Sequence, residues 1–221
     1  MDVTVTTARL RGEKAVKPDF DPVKHIYRMK GRVIPGVTDP MANVLGINPY
    51  WTDAGRDFGT KMHLAIALCA QKDLDYATLD ERLKPRVDAY EKFCLDFQFV
   101  PDVIEQMFYS VSPEFCGTPD QAKIGQLVVD FKKGKHLPEH ALQLAAYAHL
   151  LGNSYLYERI GVELRADGKY SITPYKKQDI RSDFNIFISI LNVYNWRTRN
   201  GSRTRSSAGI ARESGNCENV A

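Results

Sequence analysis

The stretch Gly117-Thr-Pro-Asp-Gln-Ala-Lys-Ile-Gly-Gln-Leu-Val-Val-Asp-Phe-Lys132 decides how this chain is read. In an extended strand, side chains i and i+2 share a face. Leu127, Val129 and Phe131 therefore form an apolar layer, while Val128, Asp130 and Lys132 point the other way. The pattern predicts a strand over Gln126–Lys132, a turn at Lys123–Gly125 and a preceding short strand over Glu114–Asp120. Pairing across that turn would bring Asp120 beside Asp130, with the Lys132 amine two positions along. Two such carboxylates repel unless positive charge stands between them. Lys132 can supply it as an ion pair, and a hard divalent cation with oxygen ligands supplies it better. By itself, Asp-x-Lys on a strand is an ordinary solvated or ion-paired edge, so the surroundings must decide.

Upstream, Ile26–Ile34 is strand-like with a turn at Lys30-Gly31, and Thr38 or Asp39 can cap a short helix that has Pro40 in its first turn and ends at Gly46 and Pro49. Met62, Ala65, Ile66 and Cys69 mark one helical face, and Leu83, Val87, Tyr90 and Cys94 mark a second. Val103–Val111 reads as a strand. Downstream, Pro138 opens a helix to Leu151 that sets Gln143 and Tyr147 on one face, four residues apart. Tyr157–Arg165 and Lys169–Thr173 form a hairpin around Asp167-Gly168, and Ser182 caps a last helix to about Asn195. Grouped strands between helices predict an α/β fold, a mixed central sheet flanked by helices.

The chain has 221 residues, 43% hydrophobic and 26% charged, the balance of one soluble domain and not of a collagen, a coiled coil or a disordered chain. Residues 1–17 lack period and large apolar groups and read as a flexible arm. From Arg197 the sequence turns polar and basic, so a disordered tail is expected over 197–221, leaving a folded body over 18–196. The longest apolar run, Leu64–Ala70, is too short to cross a bilayer, and no apolar signal core opens the chain, so a cytoplasmic protein is expected. Cys69, Cys94, Cys116 and Cys217 lie far apart and match no zinc-finger or iron–sulfur spacing. A net charge of +3 demands no polyanion, so nucleic-acid binding would rest on local patches such as Lys132, Lys133 and Lys135, Lys176, Lys177 and Arg181, or Arg197, Arg199, Arg203 and Arg205.

The series Gly59-Thr-Lys-Met-His63, Gly117-Thr-Pro-Asp120, Asp130-Phe-Lys132 and Gln143-Leu-Ala-Ala-Tyr147 resembles, in order and spacing, the PD-(D/E)XK nuclease superfamily, and within it the RecB-type and phage exonuclease branch. Ile34-Pro-Gly-Val-Thr38 is similar to a short segment near the start of phage members. The resemblance spans about residues 25–196 and implies a restriction-endonuclease-like core. It implies that Asp120, Asp130 and His63 hold Mg2+ or Mn2+ together with the Phe131 backbone carbonyl, that Lys132 is the catalytic lysine, and that Gln143 and Tyr147 shape the DNA-facing side. Without it, His63 would read as a packing or surface residue. Glu105 could be the further acid of many members, or an exposed carboxylate on the strand Val103–Val111. Lys133 and Lys135 flank the site as phosphate-attracting charges. His136 and His140 match nothing in the pattern and read as polar surface near a phosphate.

The function this implies is a metal-dependent DNA exonuclease acting at duplex ends for recombination or DNA processing. DNA would be held by backbone contacts without base readout, beside a recombinase or single-strand-binding partner, with an oligomer conceivable and no membrane. The alternatives are a structure-specific endonuclease of the same fold and a non-catalytic DNA-binding module. No nucleophilic triad is evident, which fits hydrolysis by water assisted by a cation.

Overall fold

The computed structural model describes residues 18–21, 26–46 and 53–213, with side chains omitted for 53 and 202–213. The expected arm over 1–17, Pro49, Cys217, the last part of the tail and the side chains of Arg203 and Arg205 lie outside what is described.

Three short strands open the fold: β1 (Asp19–Asp21), β2 (Ile26–Met29) and β3 (Arg32–Ile34), antiparallel in that order. Helix α1 (Thr38–Leu45) follows. Its N-terminal cap position is Val37, and Asp39, inside the first turn, accepts a hydrogen bond from the Gly36 N–H at 2.7 Å. Helices α2 (Asp53–Ala70) and α3 (Lys84–Asp96) bury the two apolar faces read from their spacing, including Met62, Ile66, Val87 and Tyr90.

The expected strand over Val103–Val111 is two strands, β4 (Val103–Ile104) and β5 (Phe108–Val111). Glu105 breaks it with a left-handed φ of 45°, a conformation that destroys the alternation of faces. The expected hairpin between Glu114–Asp120 and Gln126–Lys132 is also revised. β6 (Glu114–Gly117) pairs with β5 in a separate ribbon, and a strand read as connection, β7 (Gln121–Lys123), pairs with β8 (Leu127–Lys132).

Helix α4 (His140–Leu150) then leads to β9 (Glu158–Leu164), β10 (Tyr170–Tyr175) and α5 (Ile180–Glu213). Helix α5 starts two residues before Ser182 and continues beyond Arg197, where the folded body was expected to end. Arg197 itself donates to the Asn43 carbonyl at 3.1 Å.

The central sheet has the order β10-β9-β8-β7-β4. β8 and β9 run parallel and the other neighbours antiparallel, so the sheet is mixed. α4 is the crossover that a parallel pair requires. The alternation of β8 divides the interior as the sequence predicts. Val129 and Phe131 pack with α2 and α3, and Val128 packs with α4 and α5. A smaller cluster of Tyr27, Ile34 and Cys116 joins the two lesser sheets. Among the described residues, no helix is long and apolar enough to cross a membrane.

Candidate active site

The Gly117-Thr-Pro-Asp120 turn leaves β6 and enters β7. Gly117 is there for room: a Cβ would stand 2.8–2.9 Å from Leu150, Val37 and Tyr147. With α4 pressed against it, the turn brings Asp120 to β8, where Oδ2 accepts the Phe131 N–H at 2.7 Å. The Glu105 N–H donates to the Asp120 carbonyl at 2.9 Å. The left-handed Glu105 thus connects β4 to the same turn.

His63, from α2, completes the group. Its Nδ1 is 3.5 Å from Asp120 Oδ2 and 3.6 Å from Glu105 Oε1. One donor atom from each of the three lies within 4.8 Å of the others. Burial opposes the imidazolium, but Asp120 and Glu105 outweigh burial and raise His63 to about 9. Burial pushes Asp120 up to about 7, aided by Asp130 and Glu105 and opposed by His63 and Lys132. Crowded negative charge is the common cause, and at neutral pH the imidazolium is what offsets it.

Asp130 points from β8 with a side chain 1% exposed. Lys132 Nζ donates to its Oδ1 at 2.9 Å and stands 2.8 Å from Oδ2. Burial alone would raise Asp130, yet Lys132 and then His136 hold it below the ordinary carboxylate range. Asp120 and Asp130 lie near enough to interact: Asp130 adds to the burial that raises Asp120. They do not share one set of donors, as the expected hairpin implied. Asp120 is grouped with His63 and Glu105, and Asp130 with His136 and His140. Asp120 stands one residue before β7, and the β7–β8 register, with Gln121 opposite Val129, continued by one residue sets it across from Asp130.

Gln143 and Tyr147 lie four residues apart on α4, both buried, with Gln143 Nε2 donating to Tyr147 Oη at 3.1 Å. They back the Asp120 turn from inside. Phe131 is buried, and its N–H is the group engaged by Asp120. Lys133 donates to the Gly55 carbonyl at 2.8 Å and lies 5.8 Å above the Phe58 ring, tying the end of β8 to α2. Lys135 is exposed.

Sequence reading missed two features. Arg159 on β9 is buried and spans three elements, donating to the Ala141 carbonyl, the Asp183 carboxylate and the Lys176 carbonyl at 2.7–2.8 Å. His136, read as surface, has a side chain 1% exposed. Its ring occupies the space over Gly161, where a Cβ would stand 2.1 Å from Nδ1. The glycine, directly across from Asp130 in the β8–β9 register, was the available signal.

No family profile and no curated protein sequence matches the chain. Among solved structures, an alkaline exonuclease (LHK-Exo) from Laribacter hongkongensis is similar at 13% identity and a TM-score of 0.33, over 76% of this chain and 91% of that one. Its complex with dAMP is similar at 10% identity and 0.29, over 77% and 94%.

Proposed function

We propose that this protein is a divalent-metal-dependent deoxyribonuclease that hydrolyses phosphodiester bonds from DNA ends. The observation that carries this reading is the convergence on β8: His63, Glu105 and Asp120 within one donor cluster, their Asp120 bonded to the strand that presents Asp130 and Lys132. The donor set fits a hard cation, because two carboxylates and one imidazole suit Mg2+ or Mn2+, with the nitrogen favouring manganese. His63, Glu105 and Asp120 would hold it, the cation replacing the proton on His63, with Asp130 and the Phe131 carbonyl as further oxygens. Bound there, the cation would lower the pKa of a coordinated water and offset charge on the phosphoryl oxygens.

The chain's own groups do the rest. Lys132 has a side chain 29% exposed, and Asp130 fixes the position of its ammonium. It can orient the attacking water and stabilise the negative charge on the phosphoryl oxygens as the new P–O bond forms and the leaving oxygen departs. Gln143 and Tyr147, bonded to each other on α4, with Tyr147 packed against Gly117 of the Asp120 turn, would shape the side of the site that faces DNA. Lys133 and Lys135 at the rim attract phosphates.

The test is end-labelled linear duplex against a covalently closed circle, each with Mg2+ or Mn2+. Loss of label from the linear form with the circle intact is expected. Cleavage of the circle would assign an endonuclease instead. Lys132→Ala is expected to cut the rate at least about 100-fold with an unchanged circular dichroism spectrum, and full activity in that variant would remove Lys132 from the mechanism.

A further inference from the structure

We propose that Asp130, His136 and His140 form a second cation site, of the zinc class and distinct from the His63 cluster. The site does not require the nuclease reading, although Asp130 belongs to both. His136 lies in the loop between β8 and α4, and His140 is the first residue of α4. Their Nδ1 atoms stand 3.3 Å apart, and His136 Nδ1 stands 3.7 Å from Asp130 Oδ2. One donor from each of the three lies within 4.8 Å of the others. Ligands at about 2.0–2.1 Å around a tetrahedral Zn2+ stand about 3.3–3.4 Å apart. The histidine pair, 3.3 Å apart, is at a tetrahedral edge already, and the His136–Asp130 separation of 3.7 Å is a few tenths of an ångström longer.

The chemistry agrees. Two imidazole nitrogens and one carboxylate oxygen are a borderline donor set that suits Zn2+ or Co2+ better than Mg2+. Three protein donors leave a fourth position for water. The fold also makes specific room: Gly161 lacks the Cβ that would strike the His136 ring, and so lets a buried imidazole lie beside Asp130. Lys132 already contacts both Asp130 oxygens, and the Leu137 N–H donates to His140 Nδ1 at 3.2 Å. An ion would take over part of the first contact and displace the second.

The competing account is a hydrogen-bonded brace in which His136 and His140 share one proton and bind nothing. Cobalt(II) separates the two. The full chain, stripped with a chelator, is titrated with Co2+ and followed by visible absorption. We expect one equivalent to give the intense bands of four-coordinate cobalt, and Zn2+ to abolish them by displacement. His140→Asn offers an amide oxygen to the Leu137 N–H, which preserves the brace, but it is a poor zinc ligand. It is expected to weaken Co2+ binding more than about 10-fold, the loss seen even for groups one layer outside a metal. His63→Ala is expected to leave the bands unchanged. Absence of the bands, their survival in His140→Asn, or their loss in His63→Ala would overturn the assignment. DNA cleavage is not the readout, so failure here leaves the nuclease reading untouched, and failure of that reading leaves this one.

Discussion

Glu105 shows how much one residue can carry. Its left-handed backbone ends β4, sends its N–H to the Asp120 carbonyl and sets its carboxylate 3.6 Å from His63. Such a conformation costs about 1–3 kcal/mol in a residue with a Cβ and persists because the turn it meets is fixed by α4 and β8. Glu105→Gln keeps the shape and removes the charge. His63, which burial opposes but Asp120 and Glu105 lift to about 9, should then titrate at lower pH, measurable by NMR of the imidazole. An unchanged titration would mean that Asp120 alone sets the imidazolium. At this scale Asp130 and Lys132 were legible, because a period of two leaves no choice of face. Glu105 was not, since a positive φ without glycine leaves no mark in sequence and undoes the alternation that reading depends on. His136 was hidden for another reason: its partner Gly161 lies on β9, a strand away.

Between elements, the Asp120 turn and α4 meet at Gly117. Adding a methyl there drives Cβ to 2.8–2.9 Å from three side chains, one of them Tyr147. Gly117→Ala is expected to cost about 1–3 kcal/mol, read from the midpoint of denaturant unfolding, and to loosen cation binding through Asp120. Stability equal to the parent would mean that α4 yields more freely than its packing suggests. Order and type of the elements were mostly readable here, because α2, α3, α4 and the β9–β10 hairpin carry clear periods and turn residues. The strand partners were not. Glu114–Gly117 and Gln121–Lys123 are both short, and nothing local says that the first joins β5 while the second joins β8. Arg159 escaped because an arginine in a strand reads as solvent-facing, whereas three acceptors from α4, α5 and the segment between β10 and α5 pay for its burial.

Across the molecule, buried histidines set the response to acid. His149 stacks on Phe184 with ring centroids 4.2 Å apart, and burial lowers its pKa. An unfolded histidine takes up its proton near pH 6.5, so the unfolded state binds more protons once pH drops below that. The contribution of His149 is complete above about 6.5 and is lost as pH falls toward the lowered folded value. His136 and His140 act in the same direction. Asp120, raised to about 7, acts the other way, so the test is the difference: between pH 8 and 5 the melting temperature of the parent should lose more, or gain less, than that of His149→Phe, by calorimetry. Identical slopes would mean that the burial of His149 adds nothing to the acid response.

β8 runs through the middle of five strands and has helices against both faces. The backbone that carries Asp130, Phe131 and Lys132 is therefore the part shielded longest when the chain breathes. In heavy water, the amide protons of residues 128–132 should be among the last to be replaced by deuterium, while those of the exposed Lys133–Lys135 bend exchange early. Any rearrangement around Asp130 and Lys132 short of unfolding must then come from side chains, since the strand itself gives way only when everything does.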